Sequence, residues 1–159
     1  MNKLYIGIDP GQSGGIALIQ DGKEPVVYPM PLIEKTELDI VKIFDIITQE
    51  PNCHIVIEDV HSIFGSSANS NWSFGFGCGQ LFAMLKLSSL PFTRVSPKTW
   101  QKEMWQGVVK QDDNKATSLL AATRLFPNVD FRATERSKVA HDGIVDALLI
   151  AEYARRKNL

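Results

Sequence analysis

Residues 5–19 read YIGIDPGQSGGIALI. An apolar run stops at Asp9, a turn dense in Gly and Ser follows, and a second apolar run starts at Ile16. Leu4, Ile6 and Ile8 alternate with Tyr5, Gly7 and Asp9, the period of a β-strand. Asp21–Gly22 then separates Ile16–Gln20 from Pro25–Met30, which predicts a hairpin. The chain therefore opens as a three-stranded antiparallel meander, and its first strand, patterned for a core, ends in a carboxylate.

Working outward, Thr36–Gln49 carries apolar residues at helical spacing and is expected to be an amphipathic helix. HIVIED, residues 54–59, is a short β-branched run. Joined to the meander through a helix, it should lie parallel to the first strand. VHSIFGSSANSN, residues 60–71, reads as a loop. Trp72–Leu90 reads as a helix despite Gly75, Gly77 and Gly79, which mark either weak helix or close packing of another backbone. Phe92–Val95 is a strand, and Ser96–Pro97 is a cap and first turn for a helix reaching Trp105. Helices are also expected over Asn114–Phe126 and His141–Arg156, with a polar, flexible stretch at 129–138 between them. The order βββ–α–β–α–β–α–α–α defines an α/β fold with a five-stranded mixed sheet, the antiparallel meander plus two parallel strands, flanked by helices.

The 159 residues fit one domain, 1–159, with no linker or repeat. No stretch approaches the roughly 20 apolar residues of a membrane span, and from the strand-like run at residues 3–9 no signal peptide is expected. Two cysteines, Cys53 and Cys78, lack paired metal spacing and are too few for a disulfide scaffold, so both are expected reduced and buried in a cytoplasmic compartment. The net charge of −1 is unevenly spread. Residues 1–91 carry 5 Lys/Arg and 10 Asp/Glu, whereas residues 92–159 carry 12 and 8. A polyanion-binding face should therefore draw on the second half.

Acidic side chains stand where a core is expected. Asp9 closes the first strand and Glu58 the fourth; if the two strands are adjacent and parallel, both carboxylates leave the sheet at one edge, where α/β sheets place ligands. In HDGIVDALLIA, Asp142 and Asp146 share a helical face, and Asp146 interrupts an otherwise apolar run. Each acid taken singly has a plain reading: a turn residue, a salt-bridged strand end, a charge at a helix start. Asp146 is the hardest to read so, because a buried unpaired carboxylate costs several kcal/mol or more and no Lys or Arg lies within a helical turn. Carboxylates converging without cations repel one another. A divalent cation such as Mg²⁺, which takes oxygen ligands, resolves the conflict. Asp59 is expected to point away from Glu58.

These residues resemble a known family. IGIDPGQSGGIAL, VIED, SPKTWQK, NKAT and HDGIVDALLIAEYARR are similar in order and spacing to RuvC-type Holliday junction resolvases, notably the short phage and prophage members, within the ribonuclease H-like superfamily. The resemblance implies a metal-dependent endonuclease resolving four-way DNA junctions by paired phosphodiester hydrolysis, leaving 5′-phosphates, in a bacterial or phage-infected cytoplasm. It implies Asp9, Glu58, Asp142 and Asp146 as catalytic metal ligands for two Mg²⁺ or Mn²⁺ ions. The companion acid stands four residues before Asp146 rather than three, which leaves His141 or Asp142 for that role. Lys115 matches a lysine near the scissile phosphate. His61 or Phe64 matches an aromatic that stacks on opened bases. Lys98, Lys102 and Lys110 are candidate DNA-backbone contacts. The helix SFGFGCGQLF resembles a subunit-contact region, and two opposed cuts imply a homodimer.

Three other readings stay open: a nuclease with broader taste for branched or single-stranded DNA, an actin/sugar-kinase-like nucleotide-binding domain, and a non-catalytic nucleic-acid-binding module. The kinase-like domains share the GID-x-G start but need a second phosphate loop. Asp146→Asn separates an enzyme from a binder.

Overall fold

Strand β1 (Leu4–Asp9) is the centre of the sheet. A computed structural model describes residues 3–61 and 65–159. β1 pairs antiparallel with β2 (Gly15–Gln20), which pairs antiparallel with β3 (Val26–Pro29). A small hairpin follows, β4 (Leu32–Ile33) with β5 (Glu37–Leu38), and then helix α1 (Ile40–Ile47). Strand β6 (Cys53–Glu58) runs parallel to β1 on its other side. Helix α2 (Ala68–Leu87) leads to β7 (Phe92–Val95), parallel to β6. Helices α3 (Pro97–Met104), α4 (Asn114–Leu125) and α5 (Asp142–Lys157) complete the chain. The five-stranded order is β3-β2-β1-β6-β7, the mixed sheet expected from the sequence.

Alternation along β1 and β6 builds two cores. Leu4, Ile6, Ile8, Ile55 and Ile57 face Ile43, Ile47, Leu81 and Leu85 on the side of α1 and α2. Tyr5 and Val56 face Trp100, Ala121, Leu148 and their neighbours from α3, α4 and α5. Each fully buried Ile or Leu contributes about 1.5–3 kcal/mol. Asp9 and Glu58 follow the same alternation and belong to the α3–α5 side. Asp59 takes the opposite side, where it pairs with Arg94, whose guanidinium lies 4.5 Å from the centre of the Phe82 ring.

The expected helix over 36–49 is shorter than its periodicity suggested. Glu34 and Lys35 adopt positive φ (49° and 64°), turning the chain into the β4–β5 hairpin. The Asp39 backbone N–H is bonded to the Pro31 carbonyl, and its side chain caps α1 by accepting from the Lys42 N–H. Helix α2 starts earlier than expected, at Ala68, because Ser67 accepts from the Ser70 N–H as its cap. The stretch 129–138, expected to be flexible, is tied down by buried Phe131, whose carbonyl accepts from the His141 N–H at 2.8 Å. Cys53 and Cys78 are buried and unpaired. Among the described residues no helix is long and apolar enough to cross a membrane.

Among the described residues of this chain, Gly75 and Gly79 of α2 pack against no other backbone. A Cβ at Gly75 or Gly79 would meet nothing within 4 Å. Close packing lies instead between α5 and the meander. A Cβ on Gly7 would stand 2.1 Å from the Ala147 carbonyl oxygen, and one on Gly143 would stand 2.3 Å from the Ser13 carbonyl oxygen. Helix α5 therefore lies on bare backbone at both points, an approach open only to glycine.

Candidate metal centre

Parallel pairing carries β1 and β6 forward in register, with Ile8 opposite Ile57, so Asp9 and Glu58 are the next neighbours on one rim. The Gly143 contact sets the start of α5 over the 9–15 turn, and Asp146, one turn into the helix, comes down beside them. The charges of these acids act on one another. The Asp9 carboxyl is pushed well above the usual carboxylate range, first by burial, then by Asp146, Glu58 and Asp142. Asp146 is pushed up to about 7, chiefly by burial; a hydrogen bond from Ser118 opposes this, Glu58 and Asp142 add to it, and Lys115 subtracts. Glu58, only 9% exposed, is raised by burial and pulled back by a hydrogen bond from Trp100.

Among the described residues, no Lys or Arg lies within ion-pair distance of Asp9, Glu58 or Asp146. Asp146 Oδ1 is buried without a hydrogen-bond partner among the described residues. Burial without a cation is what structural acids avoid. Glu152, further along α5, shows the usual answer: it is buried between Arg155 and Arg156 at 2.7 and 2.9 Å. A donor set made of carboxylate oxygens alone fits a hard divalent cation. Among the described residues, no three His, Cys, Asp or Glu side chains are drawn together tightly enough to hold an ion as they stand. Like charges with no counter-charge between them repel, which opposes closer approach.

Asp142 differs from the other three. It is exposed at the first turn of α5 and forms a 2.6 Å ion pair with Lys115, itself exposed on α4. The expected phosphate-facing lysine is thus held at the rim by the expected companion acid. His141 is the N-cap of α5, its Nδ1 accepting from the Ile144 N–H at 3.3 Å. That use of Nδ1 leaves only Nε2 for any other partner. His61 is exposed just after β6; Phe64 lies outside the described residues. Lys98 and Lys102 on α3, and Lys110 beyond it, are exposed and make no ion pair among the described residues.

Beside Asp9 and Glu58 opens a cleft of about 680 Å³, walled by the 10–13 turn, the β4–β5 hairpin and α2 from Asn69 to Gln80. Its size is that of a small-molecule or nucleotide site. Gln12 spans one side, its Nε2 donating to the Thr36 carbonyl at 2.5 Å and to Ser73 Oγ at 3.3 Å. Two contacts of the acids escaped the sequence reading. The Trp100 indole N–H donates to Glu58 Oε1 at 2.7 Å, and buried Ser118 lies near enough to the Asp146 carboxyl to oppose the rise in its pKa. The available signal was slight: a Trp in a short polar helix and a Ser in an apolar one, each needing a partner once buried.

A five-stranded mixed sheet in this order, flanked by helices, is the fold seen in RuvC. Two solved structures carry the same architecture. T. thermophilus RuvC in complex with a Holliday junction substrate matches with a TM-score of 0.60 at 12% identity, over 97% of this chain and 96% of that one. The Thermus thermophilus RuvC structure matches with a TM-score of 0.62 at 17% identity, over 98% and 96%. No family model and no curated protein matches the sequence.

Proposed function

We propose that the chain is a divalent-metal-dependent endonuclease that hydrolyses phosphodiesters in branched DNA, four-way junctions foremost, leaving 5′-phosphates. The observation that carries this is the rim of Asp9, Glu58 and Asp146: three largely buried carboxylates from three elements, repelling one another, with no Lys or Arg among the described residues at ion-pair distance. The fold shared with a protein solved on a Holliday junction supplies the substrate class.

Asp9, Glu58 and Asp146 would hold Mg²⁺ or Mn²⁺, with Asp142 or His141 completing the set for a second ion. When bound, these ions would activate water and stabilise the leaving oxygen. The chain's own groups do the rest. Burial of Asp9 and Glu58 limits water and fixes the carboxylates against the phosphate. Lys115 brings a positive charge to the rim, where it offsets charge developing on the phosphate. Lys98, Lys102 and Lys110 would meet the DNA backbone, and either His61, exposed after the second carboxylate, or Phe64, three residues on in the sequence, would stack on unpaired bases.

Paired cuts need two rims, and α2 supports a homodimer. Its outer face exposes Trp72 (75%) and Phe76 (53%), whose rings stack at 6.4 Å, beside the open faces of Gly75 and Gly79. An exposed aromatic pair next to bare backbone suits close packing of a second helix. The test is cleavage of a labelled panel of four-way junctions, forks, flaps and single strands with Mg²⁺ or Mn²⁺. Symmetric paired nicks in four-way junctions are expected, abolished by Asp146→Asn with junction binding retained. Cutting spread evenly over the panel selects the broader nuclease, and cutting unchanged by Asp146→Asn refutes the assignment.

A further inference from the structure

We infer that Trp100 and Ser118 are positioning residues that hold the Glu58 and Asp146 carboxyls by one side, leaving the other side of each to a cation. The inference rests on the metal-site reading above. Trp100 is completely buried, and its N–H reaches Glu58 Oε1 at 2.7 Å, the short length of a hydrogen bond to a charged acceptor. The sequence places it there by local logic. Glu58 pairs with Val95 at the end of β7. The next residue, Ser96, starts α3, and Trp100 stands in its first turn. The indole is itself fixed by Trp105, edge-on at 6.5 Å.

The bond is not there merely to satisfy an indole. The Trp105 N–H is also buried and has no partner among the described residues, while the Trp100 N–H is aimed at a carboxylate. Asp146 repeats the pattern from the next helix. Ser118, 2% exposed on α4, lies near enough to lower the proton affinity of that carboxyl, whose Oδ1 has no hydrogen-bond partner among the described residues. The adjacent Thr117 spends its hydroxyl on the start of α4, donating to the Asp113 carbonyl and accepting from the Gln111 N–H. Ser118 has no such duty. A carboxyl held by one side cannot spin about its last torsion, so its free side keeps its aim. Outer partners of this kind typically change metal affinity about 10–100-fold when removed.

The test is calorimetric titration of the whole protein with Mn²⁺, beside single-turnover cleavage of a four-way junction. Trp100→Phe keeps the ring bulk and removes the donor; Ser118→Ala removes the hydroxyl and Ser118→Thr restores it. Trp100→Phe and Ser118→Ala are expected to weaken Mn²⁺ binding about tenfold or more, with junction affinity in EDTA unchanged. Ser118→Thr is expected to return to within threefold of wild type. Mn²⁺ affinity within twofold of wild type in both folded variants overturns the inference, as does a wild type that takes up no Mn²⁺. If Trp100→Phe does not fold, the Ser118 pair decides by the same criterion. A wild type that binds Mn²⁺ but cuts no branched DNA refutes the nuclease reading and leaves the inference to the calorimetry.

Discussion

Asp146→Asn should make the metal-free protein more stable, and the gain should vanish in acid. The Asp146 carboxyl is raised from 3.8 to about 7, so the folded chain holds a proton that the unfolded chain releases. For an acid so displaced, stability falls as pH climbs from about 4 to about 7, and the penalty is fully present above that window. A displacement of this size corresponds to about 4 kcal/mol at 1.36 kcal/mol per tenfold. Asn does not ionise, and removing the charge also relieves Asp9 and Glu58. Its new amide protons need partners, which returns part of the gain, so about 2–4 kcal/mol is expected. At roughly 2–4 °C per kcal/mol for a chain of this length, Tm in EDTA near pH 8 should rise by about 4–16 °C. Near pH 4 the two proteins should melt together. Added Mg²⁺ should raise the wild-type Tm and leave the variant nearly unmoved, because binding to the folded state alone stabilises it. The assay is differential scanning calorimetry of both proteins across pH, with and without the metal. Equal melting near pH 8 in EDTA, or a gap that persists near pH 4, would falsify the account of a charge stranded in the core.

Gly143→Ala should destabilise by about 1–3 kcal/mol or more, since its methyl meets the Ser13 carbonyl and neither backbone can retreat; denaturant unfolding measures it, and a neutral result would show that α5 can lift. Lys115→Met should change stability by less than about 1 kcal/mol, because its pair with Asp142 is exposed, while lowering the cleavage rate at saturating DNA; a loss seen only in DNA affinity would make it a simple backbone contact. Replacing Lys98 and Lys102 with Gln should flatten the plot of log affinity against log salt by about one unit for every phosphate no longer neutralised, read by anisotropy; an unchanged slope places the DNA elsewhere.

Much of the architecture was legible because its signals are local. The 9–15 turn, the Asp21–Gly22 hairpin and the β-branched run ending at Glu58 each declare a strand end within a few residues. Asp146 was legible for the opposite reason: a carboxylate inside an apolar helical stretch contradicts its surroundings. The β4–β5 hairpin was not legible. Its turn uses Glu34 and Lys35 at positive φ, with no Gly or Asn to announce it, and Leu38 shares helical spacing with the residues of α1. The packing glycines were misplaced because glycine reports only that a side chain is unwanted. In α2 that freedom faces outward, whereas in α5 the single Gly143 is a contact. Trp100 and Ser118 were invisible because their partners lie 42 and 28 positions away, and neither distance leaves a period to read.

Where α5 crosses the meander, nothing softer than main chain lies between the two. The separation of Asp146 from Asp9 is therefore gauged by atomic radii, the stiffest ruler a protein has. At the other end of the same rim, Asp142 and Lys115 are tethered only by long, solvated side chains. That outer pair can shift while the inner acids keep one spacing.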